Sequence, residues 1–221
     1  MQNLAMSDLL RNERDLWRKG HKLVAGADES GRGAWAGPLL AAAVIMPEGF
    51  DPTGIRDGKD LSEAQREAVY PRILAEALAV SVVWVSARAI DEAAEAGAYD
   101  DCHRDLLRRV VEALHPQPDF VLLDYFLPDL RVKSLAIPRG EEISASIAAA
   151  SIGAKVTLDR MMIDFDRYFP QWGFALHKGY GGGGGEHAAA LAEHGASPIH
   201  RRSSNGVRRL SGIRPTRCCC H

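Results

Sequence analysis

Apolar and polar positions along this chain switch between helical and strand periods, and the switches set out the elements. Residues 8–19 (DLLRNERDLWRK) place Leu9, Leu10, Leu16 and Trp17 near one face at helical spacing, predicting an opening helix. A short apolar strand follows from Leu23 to Ala27, then the acidic pair Asp28 and Glu29 and a glycine-rich bend. PLLAAAVIMP, from Pro38 to Pro47, reads as a second, buried strand closed by the turn-rich EGFDPTG. Ser62 to Leu78 reads as a helix with Ser62 as N-cap and Gln65 completing a capping box. Pro71 inside that stretch predicts a kink or a split. SVVWVSA (Ser81 to Ala87) is a third strand, and Ala89 to Leu114 is mostly helix, interrupted near Gly97. FVLLD (Phe120 to Asp124) is a fourth strand, and a fifth is expected at Val132 to Ile137. Ser144 to Phe165 is a long Ala/Ile-rich helix whose SIAAASIGA core is apolar on every side, as in a helix packed on a sheet. From Pro170 the chain turns glycine-rich, with a shorter helix from Glu186 to His194 before the C-terminal tail.

Early strands followed by alternating strand and helix indicate an α/β fold, a five-stranded mixed sheet flanked by helices. The expected organisation is one domain over residues 1–204, including a C-terminal helical appendage, and a disordered tail over 205–221. At 221 residues, 46% hydrophobic and 25% charged, the chain can bury a full core, which excludes wholesale disorder. No apolar run approaches the roughly 18–20 residues of a membrane span. The N-terminal residues carry acids and no apolar h-region, so a cytoplasmic protein is expected.

The net charge of −2 does not point to a polyanion partner, but its distribution is uneven. No acid follows Glu193, whereas Arg201, Arg202, Arg208, Arg209, Arg214 and Arg217 do. Residues 1–193 therefore hold 21 basic against 29 acidic groups, an acidic body with a basic tail suited to phosphate. Cysteine usage adds little. Cys102 stands alone, and the run Cys218, Cys219, Cys220 beside His221 fits neither a disulfide framework nor zinc spacing.

The chemistry concentrates at strand ends. Asp28 and Glu29 close one apolar strand and Asp124 closes another. Strand alternation sends Asp28 and Glu29 to opposite faces, so both reach one site only where the pleat breaks at a frayed strand edge. Carboxylates at the ends of neighbouring strands converge where α/β sheets hold ligands. Such an oxygen-only set selects hard divalent ions, Mg²⁺ or Mn²⁺. The glycines at 31, 33 and 37 miss the dinucleotide spacing, and a strand follows where a helix would have to start. Gly31 and Gly33 instead admit close backbone approach to a ligand. GYGGGGGEH lacks the ending of a phosphate loop and carries Tyr180, with Lys178 nearby.

AGADESGRGAWAGP, RDGKDLSE, FVLLD, RGEEISASIAAASIGAKVTLDR, FPQWGFALHKGYG and SPIHRRS follow one another in an order that resembles ribonuclease HII, over about residues 12–204. The resemblance implies a ribonuclease H-like fold. It also implies an endonuclease that cuts the RNA strand of RNA–DNA hybrids and incises 5′ of ribonucleotides embedded in duplex DNA. By the same resemblance Asp28, Glu29 and Asp124 are metal-site acids, and Glu141 occupies the place of a fourth, usually aspartate. Gly31, Arg32 and Gly33 match the backbone motif that reads the 2′-hydroxyl, Tyr180 the tyrosine packing on the next sugar, and Lys59 a lysine near the substrate backbone. His200, Arg201 and Arg202 match a triplet whose role is structural as much as phosphate contact. Two-metal hydrolysis leaving a 3′-hydroxyl and a 5′-phosphate is the implied reaction, with RNA–DNA hybrid and ribonucleotide-containing duplex as partners and no obligate protein partner for a monomer.

The chain also departs from the family pattern. Glu141 is one methylene longer than aspartate, Gly58 replaces a serine, EAAEAGAYDD stands where Asn-Ile-Leu is usual, and Gly182 replaces a threonine. The alternative is a hybrid-binding protein of the same fold that has lost catalysis through Glu141. A more distant one is another acidic-site phosphatase or nuclease, which cleavage independent of the 2′-hydroxyl would reveal.

Overall fold

The computed structural model describes residues 8–56, 60–182 and 185–212. In chain order the elements are α1 (Arg11–Arg18), β1 (Val24–Ser30), β2 (Leu39–Ile45), α2 (Glu63–Glu76), β3 (Ala79–Val85), α3 (Ala87–Glu95), α4 (Tyr99–Glu112), β4 (Phe120–Asp124), β5 (Lys133–Ile137), α5 (Ala145–Tyr168), α6 (Phe174–His177), α7 (Glu186–His194) and α8 (Asn205–Ser211). Short 3₁₀ turns cover Gly140–Glu142 and Pro170–Trp172. The sheet has five strands in the order β3-β2-β1-β4-β5. β1 runs antiparallel to β2 and parallel to β4, and β4 runs parallel to β5, which makes the sheet mixed as expected.

The chain divides into two compact units, where the sequence predicts one domain. The first comprises the residues up to Ser30, Leu40–Trp84 and His103–Thr157; the second comprises Gly31–Leu39, Val85–Cys102 and the residues from Leu158 onward. In the first unit the core gathers Val24 of β1, Val44 of β2, Tyr70 and Ile73 of α2, Leu122 of β4 and the Ala145–Ile152 stretch of α5. Small side chains set the spacing here. A Cβ on Gly26 would lie 2.1 Å from the carbonyl carbon of Ser146, so β1 and α5 meet backbone to backbone. Ser144 through Ala154 is buried without a break, which is why this helix shows no polar stripe.

One buried acceptor organises the start of α5. Glu13 of α1, fully buried, takes a hydrogen bond from the Ser144 hydroxyl at 2.5 Å and from the Ser146 N–H at 2.9 Å. Burial raises its carboxyl above the ordinary range, while its contacts with Ser144 and Ser146 pull the other way. The capping box of α2 is formed as expected, with the Gln65 N–H on Ser62 Oγ and the Ser62 N–H on Gln65 Oε1. Pro71 does not split the helix: α2 is continuous through it, with Tyr70 and Ile73 buried on either side.

The second unit is built around Trp35 and Arg201. Arg201 is 2% exposed and donates to four backbone carbonyls: Nε to Gly37 at 2.9 Å, one terminal nitrogen to Gly31 and Arg32, the other to Pro38 at 2.6 Å. A planar guanidinium can serve carbonyls in several directions at once, which an ammonium cannot. The Trp35 ring leaves no room for a Cβ at Gly181 or Gly206. The expected disorder of 205–221 is corrected over its first part, where Asn205–Ser211 is helix α8 with Val207 buried. Arg214, Arg217, Cys218–Cys220 and His221 lie outside the described residues. Among the described residues no helix is long and apolar enough to cross a membrane.

Candidate active site

The strand register decides which acids meet. β1 and β4 pair in parallel as far as Ala27 with Leu123, so the next residues of both strands, Asp28 and Asp124, stand side by side on one face. One correction is needed at β1. Asp28 and Glu29 do not sit at a frayed edge, because the antiparallel ladder continues through Asp28–Ala42, Glu29–Ala41 and Ser30–Leu40. Only the β4 side of the strand is open there. Asp28 is 4% exposed, and its carboxyl engages Ser151 of α5 and accepts the Glu29 N–H at 2.8 Å. Asp124 accepts the Gly140 N–H at 2.8 Å. That bond docks the Gly140–Glu142 turn on the end of β4 and brings Glu141, itself buried, within hydrogen-bonding reach of the Asp124 carboxyl.

Glu29 leaves β1 on the opposite face, as alternation requires, yet its carboxylate stays near enough for its charge to act on both Asp28 and Asp124. Its Oε2 lies 3.3 Å from Nε2 of His103 on α4, a contact not aligned as a hydrogen bond. His103 is fully buried and its ring meets Phe126 edge-on, with centroids 4.4 Å apart. Nothing in the sequence marks His103, since a histidine in step with buried Leu106, Leu107, Val110 and Val111 looks like any residue of an inward helix face.

Crowded carboxyls resist ionisation. Burial, then the charge of Glu29 and that of Asp124, hold Asp28 well above the usual carboxylate range. Burial pushes Asp124 up to about 6, helped by Glu141 and Glu29 and opposed by the Gly140 N–H. A hard dication would relieve this repulsion, and the donor set is the oxygen-rich kind that Mg²⁺ and Mn²⁺ accept. Glu29 adds a carboxylate that a cation can draw on, its buried Oε2 having no hydrogen bond among the described residues. The residues present therefore fit a divalent metal. Among the described residues, no three acidic, histidine or cysteine side chains are already arranged around a metal position. A groove of about 1030 Å³ beside Glu141 is lined by Leu9, Pro52, Ile55, Arg56 and Arg139 among others.

The remaining predicted residues fall in the second unit or outside the described chain. Gly31 has φ +95°, and a Cβ there would meet the Pro38 carbonyl at 2.8 Å, so only glycine suits it. Arg32 and Gly33 are exposed. The Arg32 carbonyl accepts from Tyr99, and its guanidinium stands 3.6 Å from Asp100. A cleft of about 350 Å³ is lined by Arg32, Gly33, Trp35, Tyr99, Arg201 and Asn205. Tyr180 is half-buried, its N–H donating to the His177 carbonyl and its own carbonyl 3.1 Å from Nδ1 of His187. His200 is buried against His187, Nε2 to Nε2 at 3.0 Å, and burial draws the two imidazoles down to about 3 and about 4 respectively. Both rings are thus neutral and structural. Lys59 lies outside the described residues.

The family model described as Ribonuclease HII matches residues 25–207. A protein named Ribonuclease HII from Salinispora arenicola is 46% identical over 205 residues, covering 91% of this chain and 74% of that relative. Among solved structures, the ribonuclease H2 from Pyrococcus horikoshii OT3 superposes with a TM-score of 0.72 at 23% identity, over 86% of this chain and 97% of the other. Bst-RNase HIII in complex with Mn²⁺ gives 0.68 at 18% identity, over 87% and 70%. The structural likenesses bear on the fold alone; the sequence relationship reaches nearly the whole described chain. With the acids of β1 and β4 gathered as the register dictates, the conclusion is that this chain belongs to the ribonuclease HII family.

Proposed function

We propose that this metal-dependent ribonuclease H cuts the RNA strand of RNA–DNA hybrids and incises 5′ of ribonucleotides embedded in duplex DNA, with Asp28, Glu29, Asp124 and Glu141 as its catalytic acids. The observation that carries the reading is the parallel register, which sets Asp28 beside Asp124 at the ends of neighbouring strands. Asp28, Glu29 and Asp124 are the residues to hold Mg²⁺ or Mn²⁺. When bound, such a pair of ions supplies an activated water at neutral pH and charge neutralisation for the leaving 3′-oxygen. The chain's own contribution is placement. The Gly140 N–H fixes one oxygen of Asp124, Ser151 steadies Asp28, and Glu141 reaches the same cluster. That reach, despite the extra methylene, favours catalysis over a binding protein disabled at position 141.

Substrate selection falls to the segment that continues β1. Arg32 and Gly33 are exposed, and Arg201 holds the Gly31 and Arg32 carbonyls in place. In this reading Gly31–Gly33 recognises the 2′-hydroxyl, the group that separates RNA from DNA. Tyr180 packs on the following sugar, Lys59 lies along the substrate backbone, and the cytoplasm is where the enzyme meets these duplexes.

The test is a duplex carrying a single ribonucleotide, incubated with Mg²⁺ or Mn²⁺. The expected products are a 3′-hydroxyl and a 5′-phosphate at one site 5′ of the ribonucleotide, with no cleavage of the all-DNA duplex. Asp28→Asn, folded by circular dichroism, should lose nearly all cleavage. Full activity in that variant would remove the acids from the mechanism.

A further inference from the structure

We infer that His103 is a positioning residue for the metal site, holding Oε2 of Glu29 so that the other carboxylate oxygen is presented to a divalent cation; this rests on the metal-dependent reading above. The observation is a pair of complementary buried groups left unsatisfied side by side. His103 is fully buried, neither ring nitrogen has a hydrogen bond among the described residues, and its Nε2 lies 3.3 Å from a carboxylate oxygen that also has none there. Buried polar atoms are satisfied almost everywhere in folded proteins, so two adjacent exceptions at a candidate metal site call for a functional account. Packing explains why the ring is fixed: Phe126 meets it edge-on, and Leu106 and Leu107 bury the same face of α4. It does not explain why a polar ring was placed there.

The contact needs only a small rotation to become aligned. Once Glu29 turns one oxygen toward a cation, the second oxygen swings within its carboxylate plane, and the Nε2–H of His103 is placed to donate to it. A carboxylate held by one oxygen binds metal in one orientation, and removing such an outer partner typically weakens metal binding tenfold or more. His103 touches neither substrate nor reacting atoms in this account. It acts through Glu29.

His103→Phe keeps a ring against Phe126 and removes the donor, whereas His103→Gln keeps an N–H of similar reach. Mn²⁺ binding is measured by isothermal titration calorimetry on the metal-stripped full chain, alongside cleavage of the single-ribonucleotide duplex across Mn²⁺ concentrations. The expected result is Mn²⁺ affinity about tenfold weaker for His103→Phe, KM for the duplex unchanged, and partial recovery in His103→Gln. Equal Mn²⁺ affinity in the parent and in His103→Phe would overturn the inference and leave the nuclease reading intact. A parent protein that neither binds Mn²⁺ nor cleaves would instead bring down the nuclease reading, and this inference with it. Should His103→Phe not fold, the unmodified protein decides. On adding Mg²⁺, the His103 imidazole ¹H and ¹⁵N resonances are expected to shift as Nε2–H engages Glu29, and unmoved resonances would refute the role.

Discussion

Replacing Asp124 with asparagine should make the metal-free protein more stable while ending its function. In the folded chain Asp124 is pushed up to about 6 by burial and by its acidic neighbours. In the unfolded chain it titrates near its ordinary value of about 4, so folding costs roughly two pKa units, or ~3 kcal/mol, at pH about 8. Its side chain is partly open to solvent, and screening brings that to about 1–2 kcal/mol. Asparagine removes the charge and keeps the oxygen that accepts the Gly140 N–H, so the docking of the 140–142 turn survives. The sign follows from the direction of the shift. A raised folded pKa gives a stability contribution present below pH about 4 and lost as pH rises through about 6, so the advantage of Asp124→Asn opens across that window. For a chain of this length, about 1–2 kcal/mol corresponds to roughly 3–6 °C in Tm.

The assay is thermal unfolding by calorimetry in chelator at pH about 8 and again near pH 4, then in saturating Mg²⁺. Asp124→Asn should melt higher than the parent at pH about 8 and level with it near pH 4. Mg²⁺ should raise the parent and reverse the order, since a ligand of the folded state alone stabilises by ~2.7 kcal/mol at a hundred times its Kd. An asparagine variant less stable than the parent at pH about 8 without metal would refute the reasoning, as would a gap that persists unchanged near pH 4.

Two further variants test the frame around the site. Gly26→Ala places a methyl 2.1 Å from the Ser146 backbone, where nothing flexible can yield; it should lower stability by more than about 3 kcal/mol, beyond ordinary overpacking, or yield no soluble protein, and denaturation in urea reads this directly. Arg201→Lys leaves at least two of the carbonyls of Gly31, Arg32, Gly37 and Pro38 without their donor. At about 1–3 kcal/mol for each buried group left unsatisfied, it should cost roughly 3–5 kcal/mol in the same experiment.

What the sequence made legible was local. FVLLD matches β4 residue for residue, Glu186–His194 matches α7, and the Ser62–Gln65 box is formed atom by atom, because each signal lies within a few residues of the element it specifies. The misses depended on distant partners. Asp-Glu-Ser-Gly is good turn chemistry, yet Ala42, Ala41 and Leu40 of β2 extend β1 through Ser30. Of the kink or split that Pro71 argues for, the split is absent, with Tyr70 and Ile73 buried on either side of it within one helix. Asn205–Ser211 carries two arginines in its last turn, as a solvated tail would, but buried Val207 gives it an inward face. Nothing local distinguishes Glu13 from its surface neighbours, although it serves the start of α5 across more than a hundred residues. Among the candidate acids, type and position were legible and partners were not. Ser151, Gly140 and His103 come from parts of the chain that only the folded sheet brings beside Asp28, Asp124 and Glu29.

The departure at position 141 acquires a physical meaning in that setting. A longer acid displaces its carboxyl by about one bond length only if the backbone stays fixed, and two contacts fix it. Gly140 is pinned by its N–H on Asp124 at 2.8 Å. Arg139, at φ 56°, takes the left-handed conformation that starts the turn and pairs with Glu142 at its other end. With the backbone held, the Glu141 carboxyl stays within hydrogen-bonding reach of Asp124, and its charge opposes the ionisation of Asp124. The longer side chain therefore deepens the very repulsion that a divalent ion relieves. It adds to the forces that hold Asp124 up at about 6, so metal binding at this cluster, which needs the ionised carboxylate, tightens as pH rises through that value.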